Sequence, residues 1–344
     1  DLLQSLPPLS DLAGVPEEGK RWIKGEGFQP NTSGKSKNPK QPWWKKTELF
    51  ISARASFWAS KCIQVYIEDC EEIGDRFPSL HRTRDKRIYK APLVLVSQGF
   101  GKVAYCDFDV LFQHALRSIS GPKEDASLLI FLSTYLRSKL ARYFLFHTSA
   151  SWGTERDQVY LNELLRVPFP LPGHEFVSPE AEQIVKQVSQ KFGKLRTRLQ
   201  DTLNDLKAAA KRSALFDEDV DISRQWQRER KKQIDALQKK LEPLIYSYFG
   251  LTEQEIILVE DTIEVFEPSS TPTTWNTPKT VTLDPLEKTK VEPYANQALG
   301  AYANTLTNTL NTWADAEGSN YHVSAEGGTD EQTGLAMITV KLAS

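Results

Sequence analysis

Two stretches of the chain concentrate side chains able to hold a polyanion. Residues 31–46, NTSGKSKNPKQPWWKK, form the most basic loop, with Lys35, Lys37, Lys40, Lys45 and Lys46 around Trp43 and Trp44. Lysines neutralise phosphates, and interleaved aromatic rings stack or enter a groove. The same composition also fits a solvated loop whose tryptophans fold back onto a core. Residues 81–87, HRTRDKR, supply Arg82, Arg84, Lys86 and Arg87 just before the apolar run APLVLV at 91–96. A polar turn with two glycines, SQGFGK at 97–102, follows that run. Such a turn can approach a nucleic-acid groove closely, or it can be an ordinary hairpin connection. On the first reading Gln98 reads a base edge and Lys102 sits beside a phosphate. The loop and the arginine cluster would then lie on one face of a sheet and flank the turn.

The elements that must position these residues are legible in the periodicities. The run at 91–96 is short, proline-led and β-branched, which predicts a central strand, with VAYC at 103–106 returning beside it. Residues 21–30 read as a short strand entering a glycine turn, and residues 48–67 as one or two strands, with β-branched and aromatic residues dominating 63–67. Leu128, Leu129, Leu132, Tyr135, Leu136, Leu140, Tyr143 and Phe144 recur at three- and four-residue steps, so a buried helix is expected over 127–144. A compact turn follows, in which Trp152 and Gly153, with Glu155 pairing Arg156, would dock that helix on the sheet. An amphipathic segment at 159–165 then runs into Pro168, Pro170 and Pro172. From Ser178 to Phe249 the spacing predicts a helical hairpin, coiled-coil-like, broken by acids at 216–221. Its second helix would expose Arg228, Arg230, Lys231, Lys232, Lys239 and Lys240. Gly250 reads as a C-cap and Thr252 as the next N-cap. A linker-like stretch at 267–278 precedes a small β-α-β-β pattern with strands at 281–283, 321–325 and 335–342. The fold class is α+β: a mixed-sheet domain with a buried helix (1–175), a helical region (176–266), and a linker with a small acidic unit (267–344).

Composition narrows the chemistry further. The net charge of −2 hides a split, roughly +11 over residues 21–250 and roughly −10 over residues 251–344. A basic body suits a polyanion, whereas an acidic end suits a protein surface. Three cysteines, Cys62, Cys70 and Cys106, show no metal spacing, and their odd count speaks for reduced thiols in a cytoplasmic protein. No apolar run reaches about 18 residues, so no membrane span is expected. No secretory signal is visible, and a start on Asp1 suggests a piece of something longer. No Ser/His/Asp grouping, metal cluster or phosphate loop stands out, so no catalytic residues are assigned. The aspartates at 217–221 lack the glycine and terminal glutamate of a calcium loop.

The run LRSKLARYFLFHTSASWGTERDQVYLNELLRVPFPLP at 136–172 resembles a segment of adenine-N6 DNA methyltransferases from restriction–modification and phage-defence systems, where it lies in the target-recognition region. IKGEGFQP at 23–30, the stretch APLVLVSQGFGKVAYCDFDV at 91–110, and YFGLTEQEIILVEDT at 248–262 resemble the same family, so the likeness spans roughly 20–265. It implies sequence-specific binding of duplex DNA, with a methyltransferase catalytic domain as the partner in the parent chain. The family's Asp/Asn-Pro-Pro-Tyr/Phe motif and glycine-rich cofactor loop are missing here. SLPPL at 5–9 lacks both the polar residue before the prolines and the aromatic after them. S-adenosylmethionine is therefore expected on the catalytic domain and not on this segment. The alternative expectation is a helical scaffold of a defence complex.

Overall fold

The computed structural model describes residues 6–32, 36–55, 62–97, 102–150, 159–213, 222–267, 297–316, 318, 322–330 and 335–343. Expectations for Lys35, Gln98, Trp152, Gly153, Glu155, Arg156 and the strand at 281–283 lie outside the described residues. The fold is α+β. Contacts divide the chain into two compact units, Asp1–Pro272 and Thr273–Ser344.

The first unit begins with β1 (Ala13–Gly14), β2 (Trp22–Glu26), β3 (Gln29–Pro30) and β4 (Leu49–Phe50). Next come β5 (Glu71–Glu72), β6 (Leu80–Arg82), β7 (Leu93–Ser97), β8 (Val103–Cys106) and β9 (Leu116–Ser120). One five-stranded sheet runs β1-β2-β9-β7-β8, antiparallel except for β1 beside β2. β7 is interior and buried at every position, which explains an apolar run without alternation. The turn Lys86–Tyr89 packs on this sheet. Ser118 and Ser120 of β9 donate from Oγ to the carbonyls of Ile88 (2.7 Å) and Lys90 (2.5 Å). Gly25 makes the approach possible, because a Cβ there would lie 2.6 Å from Cγ2 of Ile88. The basic cluster is thereby fixed against the sheet.

Residues 63–67 do not form the strand their composition suggests. Only Gln64 bridges to Tyr105. The Asp69 carboxylate then accepts from the Tyr66 amide (2.9 Å) and turns the chain into a short 3₁₀ turn, Ile67–Asp69. A side-chain bond to the backbone replaces strand pairing.

The apolar run beyond β9 is two helices, α1 (Ala126–Leu136) and α2 (Lys139–Thr148), and not the single helix its periodicity predicts. Ser138 breaks it as a buried N-cap, its Oγ accepting from the Ala141 amide at 3.2 Å. The Glu242 carboxylate takes the Lys139 amide (2.6 Å), so a second first-turn donor is also satisfied. Of the segment at 159–165 only α3 (Leu161–Leu164) is helical. Two long helices follow, α4 (Ala181–Ser213) and α5 (Ile222–Tyr248). Ile184, Val188, Phe192, Leu195, Leu199 and Leu203 of α4 are buried, as their spacing requires. The far end of α5 packs on α1 through rings: Phe131 lies 4.4 Å from Tyr248 and Tyr135 4.9 Å from Phe249. Residues 6–175 and 176–267 thus share one hydrophobic core. Gly250 adopts φ 62° after α5, and Thr252 caps α6 (Glu253–Asp261) with Glu255 in a reciprocal box.

Arg230 corrects the expectation of an exposed cation on the hairpin. Its side chain is 1% exposed and gives twin hydrogen bonds to Asp69, at 2.7 and 2.6 Å. The guanidinium also lies 4.7 Å from the Trp226 ring and 5.1 Å from that of Tyr66. Burial, the largest single influence, works against its charge, but the hydrogen bonds to Asp69 and the attraction of neighbouring groups together outweigh it and raise its pKa. The hairpin is tied to the sheet domain by this pair.

The second unit holds α7 (Gln297–Ala316), β10 (His322–Asp330) and β11 (Leu335–Ala343). The strands pair antiparallel from His322↔Ala343 to Asp330↔Leu335. Asn311 exchanges two hydrogen bonds with the Val323 backbone (2.9 and 2.7 Å), and Thr307 accepts from Ala325 (3.0 Å), seating the helix on β10.

Candidate nucleic-acid interface

The basic loop and the arginine cluster meet. Lys40 and Leu80 exchange backbone hydrogen bonds, both 2.8 Å, which holds the loop against β6. Gln29 of β3 is paired with Arg82 of β6. Trp43 and Trp44 are half-buried anchors: Trp44 lies 4.6 Å from Phe28, and Trp43 lies 5.7 Å from Tyr89. This is the arrangement in which the tryptophans fold back onto the core. Lys86 then stands 4.9 Å over the Trp43 ring, so a cation of the second segment rests on an aromatic of the first.

Acidic neighbours divide the expected cations into two groups. Arg84 turns inward, its Nε donating to the Gly27 carbonyl (3.2 Å) and its Nη2 to Glu26 (3.4 Å). Arg87 grips Asp85 with two side-chain bonds (3.0 and 2.8 Å), which hold the Asp85 carboxyl below its ordinary range. Lys46 pairs with Asp75 at 2.8 Å. By contrast Lys37, Lys40, Lys45, Arg82, Lys86 and Lys102 are exposed and make no ion pair among the described residues. Lys102 stands at the base of the turn, where its carbonyl accepts from the Ser97 amide (2.9 Å). From there pairing runs from Ser97 to Leu116, whose carbonyl accepts from Gly27 (3.1 Å), and on to Arg84. The base of the turn and Arg84 therefore lie towards the same end of the sheet.

Beside this surface lies an open cleft of about 710 Å³, lined by Gln29, Pro30, Thr32, Phe77, His81, Gln113 and His114. β3 and β6 supply one wall. A bridge from Phe28 to Gln113 and a 3.0 Å hydrogen bond from the His114 amide to the Phe28 carbonyl hold the other. Phe77 meets Phe28 and Phe50 edge-on, at 5.1 and 5.5 Å. Sequence reading assigned none of these seven residues a role. They come from three separate stretches, 29–32, 77–81 and 113–114, and no spacing rule links them.

A second cleft, about 470 Å³, is lined by both signs of charge: Glu17, Lys24, Glu26, Arg84 and Asp85. Among the described residues no group of three or more His, Cys, Asp or Glu could hold a metal ion, and no helix is long and apolar enough to cross a membrane. No family model matches this chain, and no curated protein matches it either.

Proposed function

We propose that this chain is a duplex-DNA recognition module of an adenine-N6 DNA methyltransferase, working in the cytoplasm in restriction–modification or phage defence. What supports the reading, beside the family resemblance, is the joining of loop and cluster through Lys40–Leu80 and Lys86–Trp43. That junction gathers unpaired cations from separate stretches of chain beside the open cleft. Lys40, Lys45, Arg82 and Lys86 hold phosphates and fix the register of the duplex. The catalytic domain of the parent flips the adenine out of the stack and binds S-adenosylmethionine. The test is duplex affinity against salt concentration. Each lost phosphate contact lowers the salt slope by about 0.9 and weakens all sequences alike. A Lys40→Ala, Lys45→Ala pair should therefore flatten the slope by about two, and a slope equal to wild type would remove these residues from the interface.

A further inference from the structure

We infer that the cleft between β3, β6 and the Gln113–His114 turn reads base identity, with Gln29 and Gln113 as specificity-determining residues for an adenine edge. The inference rests on the DNA reading above. A carboxamide presents one donor and one acceptor in a plane, the pattern that matches N7 and N6 of adenine in the major groove. Guanine is matched by Arg or Lys and cytosine by Asp or Glu, and none of those types lines this cleft. No carboxylate lines it to hold a hard cation such as magnesium or calcium. Neither carboxamide is engaged by the protein: among the described residues the side chains of Gln29 and Gln113 make no hydrogen bond, although both residues are half-buried. A half-buried amide on fixed backbone that makes no bond within the protein can turn its donor and its acceptor to a ligand in the cleft. The backbone is fixed on both sides. Gln29 pairs with Arg82, and the Gln113 carbonyl accepts from Leu116 (2.8 Å). The irregular register at Gln29 and Pro30 is the kind of local bulge that re-aims a side chain. Arg82, paired with Gln29, and Lys40, paired with Leu80 next to His81, lie on the backbone that flanks the cleft, where they can hold the phosphates of a duplex whose base edge enters it.

The experiment is selection from a randomised duplex pool with the full chain, its Gln29→Ala and Gln113→Ala variants, and the Lys40→Ala, Lys45→Ala pair. The wild-type chain should enrich a motif containing an A·T pair. Each glutamine variant should lose about 10- to 100-fold of preference at one such pair, with the salt slope and thermal melt unchanged. Glutamine variants that select the wild-type motif with undiminished preference, while the lysine pair weakens every duplex, would overturn the cleft assignment and leave the DNA reading standing. Preference lost at a G·C pair would overturn the adenine assignment. Displacement of bound duplex by free adenosine would assign the cleft to a mononucleoside instead. No salt-dependent binding of any duplex would overturn both readings.

Discussion

The junction between hairpin and sheet and the loop beside β6 use basic residues to opposite ends. At the junction, Arg230 is enclosed and committed to Asp69, and Arg137 donates to the carbonyls of Val103 (2.9 Å) and Cys62 (3.3 Å). Burial pushes the Arg137 pKa down to about 10. At the loop, Lys40, Lys45, Arg82 and Lys86 are exposed and make no ion pair among the described residues. An arginine forks onto two acceptors and loses little hydration when enclosed, whereas a lysine keeps its ammonium wet on a flexible stem. The comparison teaches that a basic residue's role is set by what acceptor the fold brings to it, and a run of basic letters does not disclose that.

The sharpest way to break the comparison is at Asp69. Asp69→Ala leaves the Arg230 charge enclosed without its carboxylate, and also removes the acceptor for the Tyr66 amide. The loss should be about 3–5 kcal/mol, read as a lower midpoint in urea unfolding. An unchanged midpoint would mean that the hairpin does not depend on this pair. Next in size is Ser138→Ala, which removes the buried cap between α1 and α2 and should cost about 1 kcal/mol by the same assay.

Two carboxylates sharpen the contrast through pH. Hydrogen bonds from Arg21 (2.6 Å) hold Asp125 below its ordinary range despite burial, with Trp22 adding another at 2.8 Å. Its folded pKa is depressed, so the stabilisation is present above the unfolded value, about 3.9, and is lost as pH falls through the lower folded value. Arg21→Ala should flatten stability against pH on the acid side. Glu242 is opposite: burial raises its pKa even though the Lys139 amide favours the charged form. Its contribution is complete below about pH 4.3 and declines as pH rises through the folded value. Glu242→Gln keeps an acceptor for the amide and should remove that decline. Thermal melts across pH measure both, and parallel curves for variant and wild type would refute either assignment. The smallest stability effect belongs to the loop. Lys45→Ala should change stability by less than about 0.5 kcal/mol while altering the salt dependence of duplex binding.

Much of the fold could be read from local signals. The central strand β7 with its return β8, the apolar stripe of α4, and the Gly250 and Thr252 caps are each encoded within a few residues. Errors arose where side-chain hydrogen bonds overrode composition or periodicity. Arg230 looked like its exposed neighbours because its partner, Asp69, lies 161 residues away. Residues 63–67 have strand composition, but one carboxylate diverts their backbone. The break at Ser138 has a local signal, a serine that can cap, yet apolar periodicity continues across it and masks the stop. The cleft was invisible for a stronger reason, since Gln29, His81 and Gln113 come together only through β3, β6 and the Phe28 bridge.

Gly25 has a mutational consequence out of proportion to its size. It carries no side chain, yet it is the seat on which Ile88 rests, and Ile88 belongs to the turn that carries Lys86 and Arg87. Substituting even alanine would drive a methyl into Ile88 and lift that turn from its bearing. A screen that scored binding alone would then flag position 25 beside the lysines, although the effect would come through the displaced Ile88. Loss of a contact and loss of its footing would share one phenotype, and only a melting curve would tell them apart.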